Sequence, residues 1–440
     1  QSEQDFADVY ARIAEEVVRL GTREPIIYGV PGSPFVGEAT VTAIIRVANV
    51  AGIEVRTLPG LSFVEAVLAA LKVDALDGLQ IFDAIEVAAT HYPSIDPDVP
   101  VLLGQVYSRI LAGELKLTLL NVYPAEHRVA LVHSAGQSDE VIEWSPLYAM
   151  DRSDQIDHLT SLYIPALPFK GGLPALADTV AVLRGPDGCP WDQEQTPQSM
   201  REGFLEEAYE VLAALDAEDS DNLREELGDL LYHIVMQAQM ASEGGEFTLS
   251  DIIAGIEAKL RRRHPHVWGD WQASDSAEVL RNWEILKQQE RLEAQATGSL
   301  SRLDGILAAL PALSRSQKIQ ARAAATGFDW PDLAGVYDKL EEELAEMRAA
   351  STPEELRLEV GDVLFVMVNL AQWLGVEAES ALREANARFI ARFQLVEKLV
   401  SERKLEWNDL GFTAMEALWA EAKAILAKTD LTDTVEGSPE

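Results

Sequence analysis

Two segments of the chain repeat one pattern of apolar and acidic residues. ELGDLLYHIVMQAQ (Glu226–Gln239) aligns with EVGDVLFVMVNLAQ (Glu359–Gln372), and seven of the fourteen positions are identical. Upstream, LEEAYE (Leu205–Glu210) aligns with EEELAE (Glu341–Glu346). The apolar residues recur with the spacing of a helix, so each copy is predicted to be helical. The chain must therefore fold the same kind of helical unit twice, in tandem.

Each repeat carries two pairs of acids, and the members of a pair are three residues apart. The first set is Glu207, Glu210, Glu226 and Asp229, and the second set is Glu343, Glu346, Glu359 and Asp362. Residues three apart share one face of a helix, so both members of a pair project together. Fifteen residues separate the pairs in the first set and twelve in the second. That length allows one helix to end and the next to return antiparallel, which would bring four carboxylates together.

Four neighbouring carboxylates repel one another and would be driven toward protonation unless a cation is present. Mg²⁺ prefers oxygen ligands and often bridges carboxylates to substrate phosphates, so we predict a Mg²⁺ site in each repeat, where Mn²⁺ could substitute. The alternative is that the acids simply face solvent. Two observations favour the metal: the neighbours of the acids are apolar, and the spacing recurs in the second repeat.

The whole chain is strongly acidic, with 73 Asp and Glu residues against 36 Lys and Arg and a formal net charge of −37. A field of that sign repels nucleic acids and anionic membranes, so we expect neither as a partner. No apolar run reaches the length of a membrane span. The single cysteine, Cys189, excludes an internal disulfide and favours a cytoplasmic protein.

The first 164 residues follow a different pattern, in which short apolar runs alternate with helical stretches. The strand candidates are IIYGV (Ile26–Val30), IEVRTLPG (Ile53–Gly60), VPVLLGQV (Val99–Val106), LKLTLLNVY (Leu115–Tyr123) and HRVALVHSA (His127–Ala135). Such alternation predicts an α/β domain. The predicted organisation is an α/β domain at 1–164, followed by two all-α helical-bundle domains at 173–295 and 303–428, with ATGSLSR (Ala296–Arg302) as the linker between the bundles.

The ordered motifs of the helical part resemble the all-α nucleoside triphosphate pyrophosphohydrolases of the MazG family. Besides the acidic motifs, the resemblance rests on LRGPDGCPWDQEQT (Leu183–Thr196), KLRRRHPHVW (Lys259–Trp268) and ATGFDWPD (Ala325–Asp332). It implies Mg²⁺-dependent hydrolysis of nucleoside triphosphates to nucleoside monophosphate and pyrophosphate, with the metal activating a water. It also implies dimeric pairing. A short helical hairpin cannot bury both of its apolar faces alone, so the two repeats could pair with each other or across two chains, and we expect a homodimer.

The same resemblance assigns roles to individual residues. Glu206 and Glu342 join the eight metal-ligand candidates as predicted catalytic residues. The residues implied to bind substrate are Lys339, Arg388, Arg392 and Trp419 in the second repeat and Lys259, Arg263 and Trp283 in the first. The arginines would contact phosphate and the tryptophans a base; the alternative for each tryptophan is core packing. Because Gly203 stands where Lys339 would be, we predict the second site to be the stronger catalyst.

Two motifs near the start of the chain resemble the tetrapyrrole methylases, which are SAM-dependent. These are YGVPGSPFVGEATV (Tyr28–Val41) and LPGLSFVEA (Leu58–Ala66). No glycine-rich G-x-G-P-G loop precedes Tyr28, so we expect a partial domain without a complete SAM site. Two alternatives to the pyrophosphohydrolase stay open at this point: a SAM-dependent tetrapyrrole methyltransferase with helical partner domains, and a non-catalytic helical scaffold.

Overall fold

The computed structural model describes residues 3–276, 278–279, 281–283, 286 and 301–436, and the side chains of residues 8–427 within those ranges. Most of the predicted linker Ala296–Arg302 and the predicted boundary at residue 295 lie outside the described residues. The chain divides into two compact units, residues 1–255 and 256–440.

The first unit begins with three helices, α1 (Glu3–Gly21), α2 (Ala39–Ala51) and α3 (Phe63–Leu71). Two extended segments that flank α2 were predicted as strands, Ile26–Val30 and Ile53–Gly60, and both predictions are wrong. An apolar run becomes a strand only when a neighbouring strand accepts and donates its backbone hydrogen bonds. Neither segment pairs with a strand in the described part of the chain, and Ile27 is 98% exposed.

A five-stranded mixed sheet forms the centre of the α/β region. The strands are β1 (Gln80–Asp83), β2 (Val101–Gly104), β3 (Arg128–His133), β4 (Val141–Pro146) and β5 (Thr160–Ile164), in the order β1-β2-β5-β3-β4. The β1–β2 pair is parallel and the other pairs are antiparallel. The predictions of strands within Val99–Val106 and His127–Ala135 are therefore confirmed.

Two further helices, α4 (Ala84–Ala88) and α5 (Arg109–Leu119), pack together and contribute to the same core as the sheet. The predicted strand Leu115–Tyr123 is wrong, because its first half is the end of α5. Leu111, Leu115 and Leu119 are buried at intervals of four residues, which is the period of a helix and not that of a strand.

The rest of the first unit is helical. Its helices are α6 (Leu173–Arg184), α7 (Pro190–Glu194), α8 (Arg201–Asp216), α9 (Ser220–Glu243) and the start of α10 (Leu249–Arg263). The helices α8 and α9 form a hairpin, and α6 packs on α9 around Val180, Met236 and Met240. The side chain of Asp219 accepts hydrogen bonds from the backbone amides of Asp221 and Asn222 and caps α9.

The second unit is helical and contains the end of α10. Its further helices are α11 (Pro265–Trp268), α12 (Ala312–Ala324), α13 (Leu333–Ala349), α14 (Pro353–Trp373), α15 (Ala378–Glu402) and α16 (Phe412–Glu436). In the hairpin α13–α14, a capping box between Thr352 and Glu355 begins the second helix. The predicted fold class, an α/β part followed by helical bundles, is confirmed.

No single helix among the described residues has both the length and the hydropathy of a membrane span. The bent pair of α14 and α15 meets those criteria only when its two helices are taken together.

Candidate metal and nucleotide site

The first carboxylate cluster lies on the hairpin α8–α9. It consists of Glu207, Glu226 and Asp229, each of which offers one carboxylate oxygen, and these oxygens lie within 4.8 Å of one another. The predicted fourth ligand, Glu210, lies beside this cluster and acts electrostatically on Glu207 and Glu226. Glu206 is exposed on α8. An all-oxygen donor set at this spacing fits a hard cation such as Mg²⁺.

The second carboxylate cluster lies on the hairpin α13–α14. It consists of Glu343, Glu346 and Glu359, whose oxygens also lie within 4.8 Å of one another. Glu343 is buried, whereas Glu346 is exposed. Asp362, the predicted fourth ligand, acts on Glu359 as a neighbouring negative charge. The structure therefore gathers three of the four predicted ligands in each repeat, and it gathers a different three.

Hairpin length accounts for the difference between the two trios. The helix α8 continues six residues beyond Glu210, whereas α13 continues only three beyond Glu346. Both turns contain three residues, and six residues of the second helix precede Glu226 and Glu359 alike. Three helical residues correspond to about 4.5 Å of rise. The facing helices are thus offset, so that Glu207 is level with Asp229 but Glu343 is level with Glu359.

Electrostatics within both clusters fit a bound cation. Burial, followed by the charges of Asp229 and Glu210, raises the pKa of Glu207 above its usual value. Burial and then Glu346 raise the pKa of Glu359 in the same direction. The pKa of Glu226 is also raised, first by burial and then by Glu210. A cation held by these oxygens would relieve the repulsion that raises these pKa values.

Lys339 is bonded to the second cluster. Its Nζ lies 2.8 Å from Oε1 of Glu343 and 3.0 Å from Oε1 of Glu342. These hydrogen bonds, first that to Glu343, raise the pKa of Lys339 above its usual value. The residue predicted as a phosphate ligand therefore neutralises carboxylates in this structure.

His233 on α9 is a neighbour of the first cluster that sequence reasoning did not identify. Its Nε2 lies 3.8 Å from Oε1 of Glu207, its side chain is 7% exposed, and its ring packs against Phe204 and Tyr232. Burial lowers the pKa of His233. The sequence did hold a signal, because the aligned residue of the second repeat is the apolar Val366.

Two predicted substrate-binding residues of the second repeat are brought together. The guanidinium of Arg392 lies 6.0 Å from the ring centre of Trp419, which also packs on Phe389 at 5.0 Å. Trp419 adjoins the core between α15 and α16, as the core-packing alternative expected. Arg388 pairs with Glu384 on its own helix at 3.4 Å. The substrate roles of these residues stay predictions.

The predicted substrate-binding residues of the first repeat lie in the second unit. Lys259 is exposed and Arg263 half-buried, one turn apart on α10. Trp283 is half-buried, and its ring centre lies 5.7 Å from that of His264. The ring of His264 lies 6.0 Å from that of Trp268. Aromatic rings therefore cluster where the sequence predicted a base-stacking tryptophan.

Comparison with known proteins agrees with both halves of the chain. The family model of the MazG nucleotide pyrophosphohydrolase domain matches residues 195–268, which include the first carboxylate cluster. The family model of the tetrapyrrole (corrin/porphyrin) methylases matches residues 1–151.

Three relatives extend the comparison beyond the two family models. The uncharacterized protein YabN of Bacillus subtilis is 37% identical over 426 residues, which cover 95% of this chain and 86% of that protein. The nucleoside triphosphate pyrophosphohydrolase of Escherichia coli K12 is 48% identical over 55% of this chain and 93% of its own length. The nucleoside triphosphate pyrophosphohydrolase/pyrophosphatase MazG of Thermotoga maritima is 42% identical over 56% of this chain and 94% of its own length. The chain therefore belongs to the MazG nucleotide pyrophosphohydrolase family and carries an N-terminal domain of the tetrapyrrole methylase type.

Proposed function

We propose that this protein hydrolyses nucleoside triphosphates to nucleoside monophosphate and pyrophosphate in a Mg²⁺-dependent reaction. The observation that carries the proposal is the pair of oxygen-only carboxylate clusters on two antiparallel helical hairpins. The names of the Escherichia coli and Thermotoga maritima relatives support the same reaction. In this reaction one phosphoanhydride bond breaks, and the oxygen of water completes the phosphate group that has lost its bridging oxygen.

Each trio of carboxylates is proposed to hold Mg²⁺: Glu207, Glu226 and Asp229 in the first hairpin, and Glu343, Glu346 and Glu359 in the second. When bound, Mg²⁺ neutralises the triphosphate and lowers the pKa of a bound water. The flanking acids of both predicted sets add negative charge around the ion, namely Glu206, Glu210, Glu342 and Asp362. Their charge retains the cation but repels the substrate, so cationic side chains are also required.

Lys339, Arg388 and Arg392 are proposed to supply that positive charge in the second repeat, with Trp419 beside the base. The ammonium group of Lys339 forms an ion pair with Glu343 in this structure. A cation on Glu343 would repel this ammonium and make it available to a phosphate oxygen. Lys259, Arg263 and Trp283 are the proposed counterparts for the first repeat. The α/β domain is given no SAM-dependent role in this proposal.

The two helical repeats are proposed to act as tandem domains at 173–295 and 303–428 within a cytoplasmic homodimer. Exposed apolar side chains on both hairpins support the pairing of one hairpin with another. On α8 and α9 these are Leu205, Tyr209, Leu227 and Leu231, and on α14 they include Leu364, Phe365 and Met367. A second hairpin that packs on this surface would complete a four-helix core. A monomeric mass for the active protein in solution would contradict pairing across chains.

One assay tests the reaction directly. The full chain is incubated with Mg²⁺ and a panel of ribo- and deoxyribonucleoside triphosphates, and pyrophosphate and orthophosphate are measured separately. We expect pyrophosphate and monophosphate in equal amounts. Orthophosphate alone, or methyl transfer from SAM to a tetrapyrrole without hydrolysis, would overturn the proposal. Lack of any reaction would favour the scaffold. The double variant Glu207→Gln/Glu343→Gln is the control for contaminating hydrolases.

A further inference from the structure

One glutamate of each carboxylate cluster, Glu207 in the first and Glu343 in the second, has a basic neighbour. The neighbour of Glu343 lies on the same helix, whereas the neighbour of Glu207 lies on the facing helix. In the second repeat, Lys339 reaches Glu343 from one turn earlier on the same helix, at 2.8 Å. In the first repeat, the residue one turn before Glu207 is Gly203, which has no side chain. The neighbour of Glu207 is His233, which approaches from the facing helix α9.

The space above Gly203 is occupied by the imidazole ring. A Cβ atom at residue 203 would lie 2.9 Å from Cε1 and 3.2 Å from Nε2 of His233. The first of these distances is shorter than carbon atoms tolerate, so a longer side chain cannot stand at residue 203 while His233 keeps its place. In the second repeat, Val366 replaces the histidine, and Lys339 replaces the glycine. The first repeat thus combines a glycine with a histidine at these two positions, and the second combines a lysine with a valine.

The orientation of His233 is set by its surroundings. The ring is held edge to face by Phe204 and Tyr232 at 6.0 and 5.6 Å. Nδ1 is buried and has no hydrogen-bond partner, whereas Nε2 faces the carboxylate of Glu207. A proton on Nε2 therefore points toward an acceptor. The 3.8 Å separation is longer than a hydrogen bond, and a movement of about 1 Å would close it.

We propose that His233 is a positioning residue for Glu207, and that it does from the facing helix what Lys339 does for Glu343 from the same helix. This inference rests on the proposed metal site, but it concerns how the ligand is held and not the reaction. Partners that orient a metal-binding side chain typically change metal affinity by about ten- to a hundredfold. The alternative is a histidine that only fills the core.

The test measures Mn²⁺ binding and not turnover. The second cluster is first disabled with Glu343→Gln and Glu359→Gln in the full chain, and free Mn²⁺ is then followed by electron paramagnetic resonance. In this background we expect His233→Val to weaken Mn²⁺ binding about tenfold. His233→Gln, which keeps an N–H donor near the position of Nε2, should retain affinity within about threefold of the parent. An unchanged dissociation constant in a folded His233→Val protein would overturn the proposal.

A second comparison transplants the arrangement of the other repeat. Gly203→Lys alone should disturb the hairpin, because the lysine and the histidine compete for one space. Gly203→Lys combined with His233→Val should bind Mn²⁺ more tightly than His233→Val alone, and circular dichroism should show that it is folded. A folded double variant that binds no better than His233→Val would contradict the proposed equivalence of the two neighbours. If the parent binds Mn²⁺ but releases no pyrophosphate, the proposed function fails while this inference stands.

Discussion

The two helical hairpins carry the same acidic motif and arrange it differently. On the first hairpin, Glu207 of α8 meets Glu226 and Asp229 of α9. On the second hairpin, Glu343 and Glu346 of α13 meet Glu359 of α14. The motif therefore fixes which residues are candidates for a metal, and the length of the first helix decides which three of them meet.

The hairpins also differ in how they are attached to the rest of their units. At the end of α9, Glu243 forms an ion pair with Arg184 of α6, with an N–O distance of 2.7 Å. The second hairpin is held through neutral amides, because Gln320 of α12 donates to the carbonyl of Phe365 at 2.8 Å. One attachment depends on charge and the other does not, so pH and salt should act on them unequally.

The largest expected effect is the loss of activity when metal is removed. Both hairpins should lose their activity, so no difference in turnover between them should remain. Clustered carboxylates cannot bind an anionic triphosphate unaided, so excess chelator should reduce pyrophosphate release to the rate without enzyme. Mg²⁺ or Mn²⁺ added beyond the chelator should restore the activity. Full turnover in excess chelator would rule out a metal-dependent mechanism at both sites.

The next effect ranks the two sites against each other. Glu343→Gln should remove most of the turnover and Glu207→Gln only a minority, because the first repeat has Gly203 where the second has Lys339, a proposed phosphate ligand. Loss of a phosphate-binding cation costs about 1–3 kcal/mol, or roughly ten- to a hundredfold in rate. Pyrophosphate release from the two single variants at saturating Mg²⁺ decides the ranking. If Glu207→Gln is the more damaging change, the first site is the main catalyst and the ranking is reversed.

A smaller effect tests the offset of the helices. Asp229→Asn removes the charge of a residue inside its trio, whereas Asp362→Asn changes the equivalent residue outside its trio. We expect Asp229→Asn to weaken Mn²⁺ binding at the first hairpin about tenfold, or about 1.4 kcal/mol. Asp362→Asn should change binding at the second hairpin by less than about threefold. Each titration is made with the other hairpin disabled, and equal effects would show that the offset does not govern metal binding.

The smallest effect concerns the ion pair at the end of α9. Arg184 holds the pKa of Glu243 below its usual value of 4.5, so the pair stabilises the fold above that pH and loses its contribution as the pH falls below it. Glu243 is partly exposed, so Glu243→Gln should destabilise α9 by only about 1 kcal/mol near neutral pH.

Amide hydrogen exchange in peptides from α9 and α14 measures that contribution. The difference between parent and Glu243→Gln should be present in α9 at pH 6.5 and should shrink toward zero near pH 3. Peptides from α14 serve as the internal control and should show no difference at either pH. A difference in α9 that persists undiminished at pH 3 would mean that the ion pair is not its cause.

Sequence reasoning worked where the determinants are local and failed where a partner decides. The helices of both hairpins follow from the spacing of their apolar residues, and three of the four acids of each predicted set meet in the structure. The predicted strands Ile26–Val30 and Ile53–Gly60 failed because a strand exists only if another segment pairs with it. Leu115–Tyr123 failed because an apolar run of leucines is compatible with both periods until the core is known.

The sequence alone determined the fold class, the family resemblance and the ten acids from which both carboxylate clusters are drawn, because residue type and helical spacing depend on neighbours along the chain. Only the tertiary structure decided which three acids meet in each hairpin, and that His233 fills the space left by Gly203. The offset of two helices depends on where the first one ends, and the room above a glycine depends on which side chain crosses from the facing helix. The space above Gly203 is set by packing between residues on two different helices, which no local pattern records. The offset follows from the point at which the first helix ends, which the acidic motif itself does not mark.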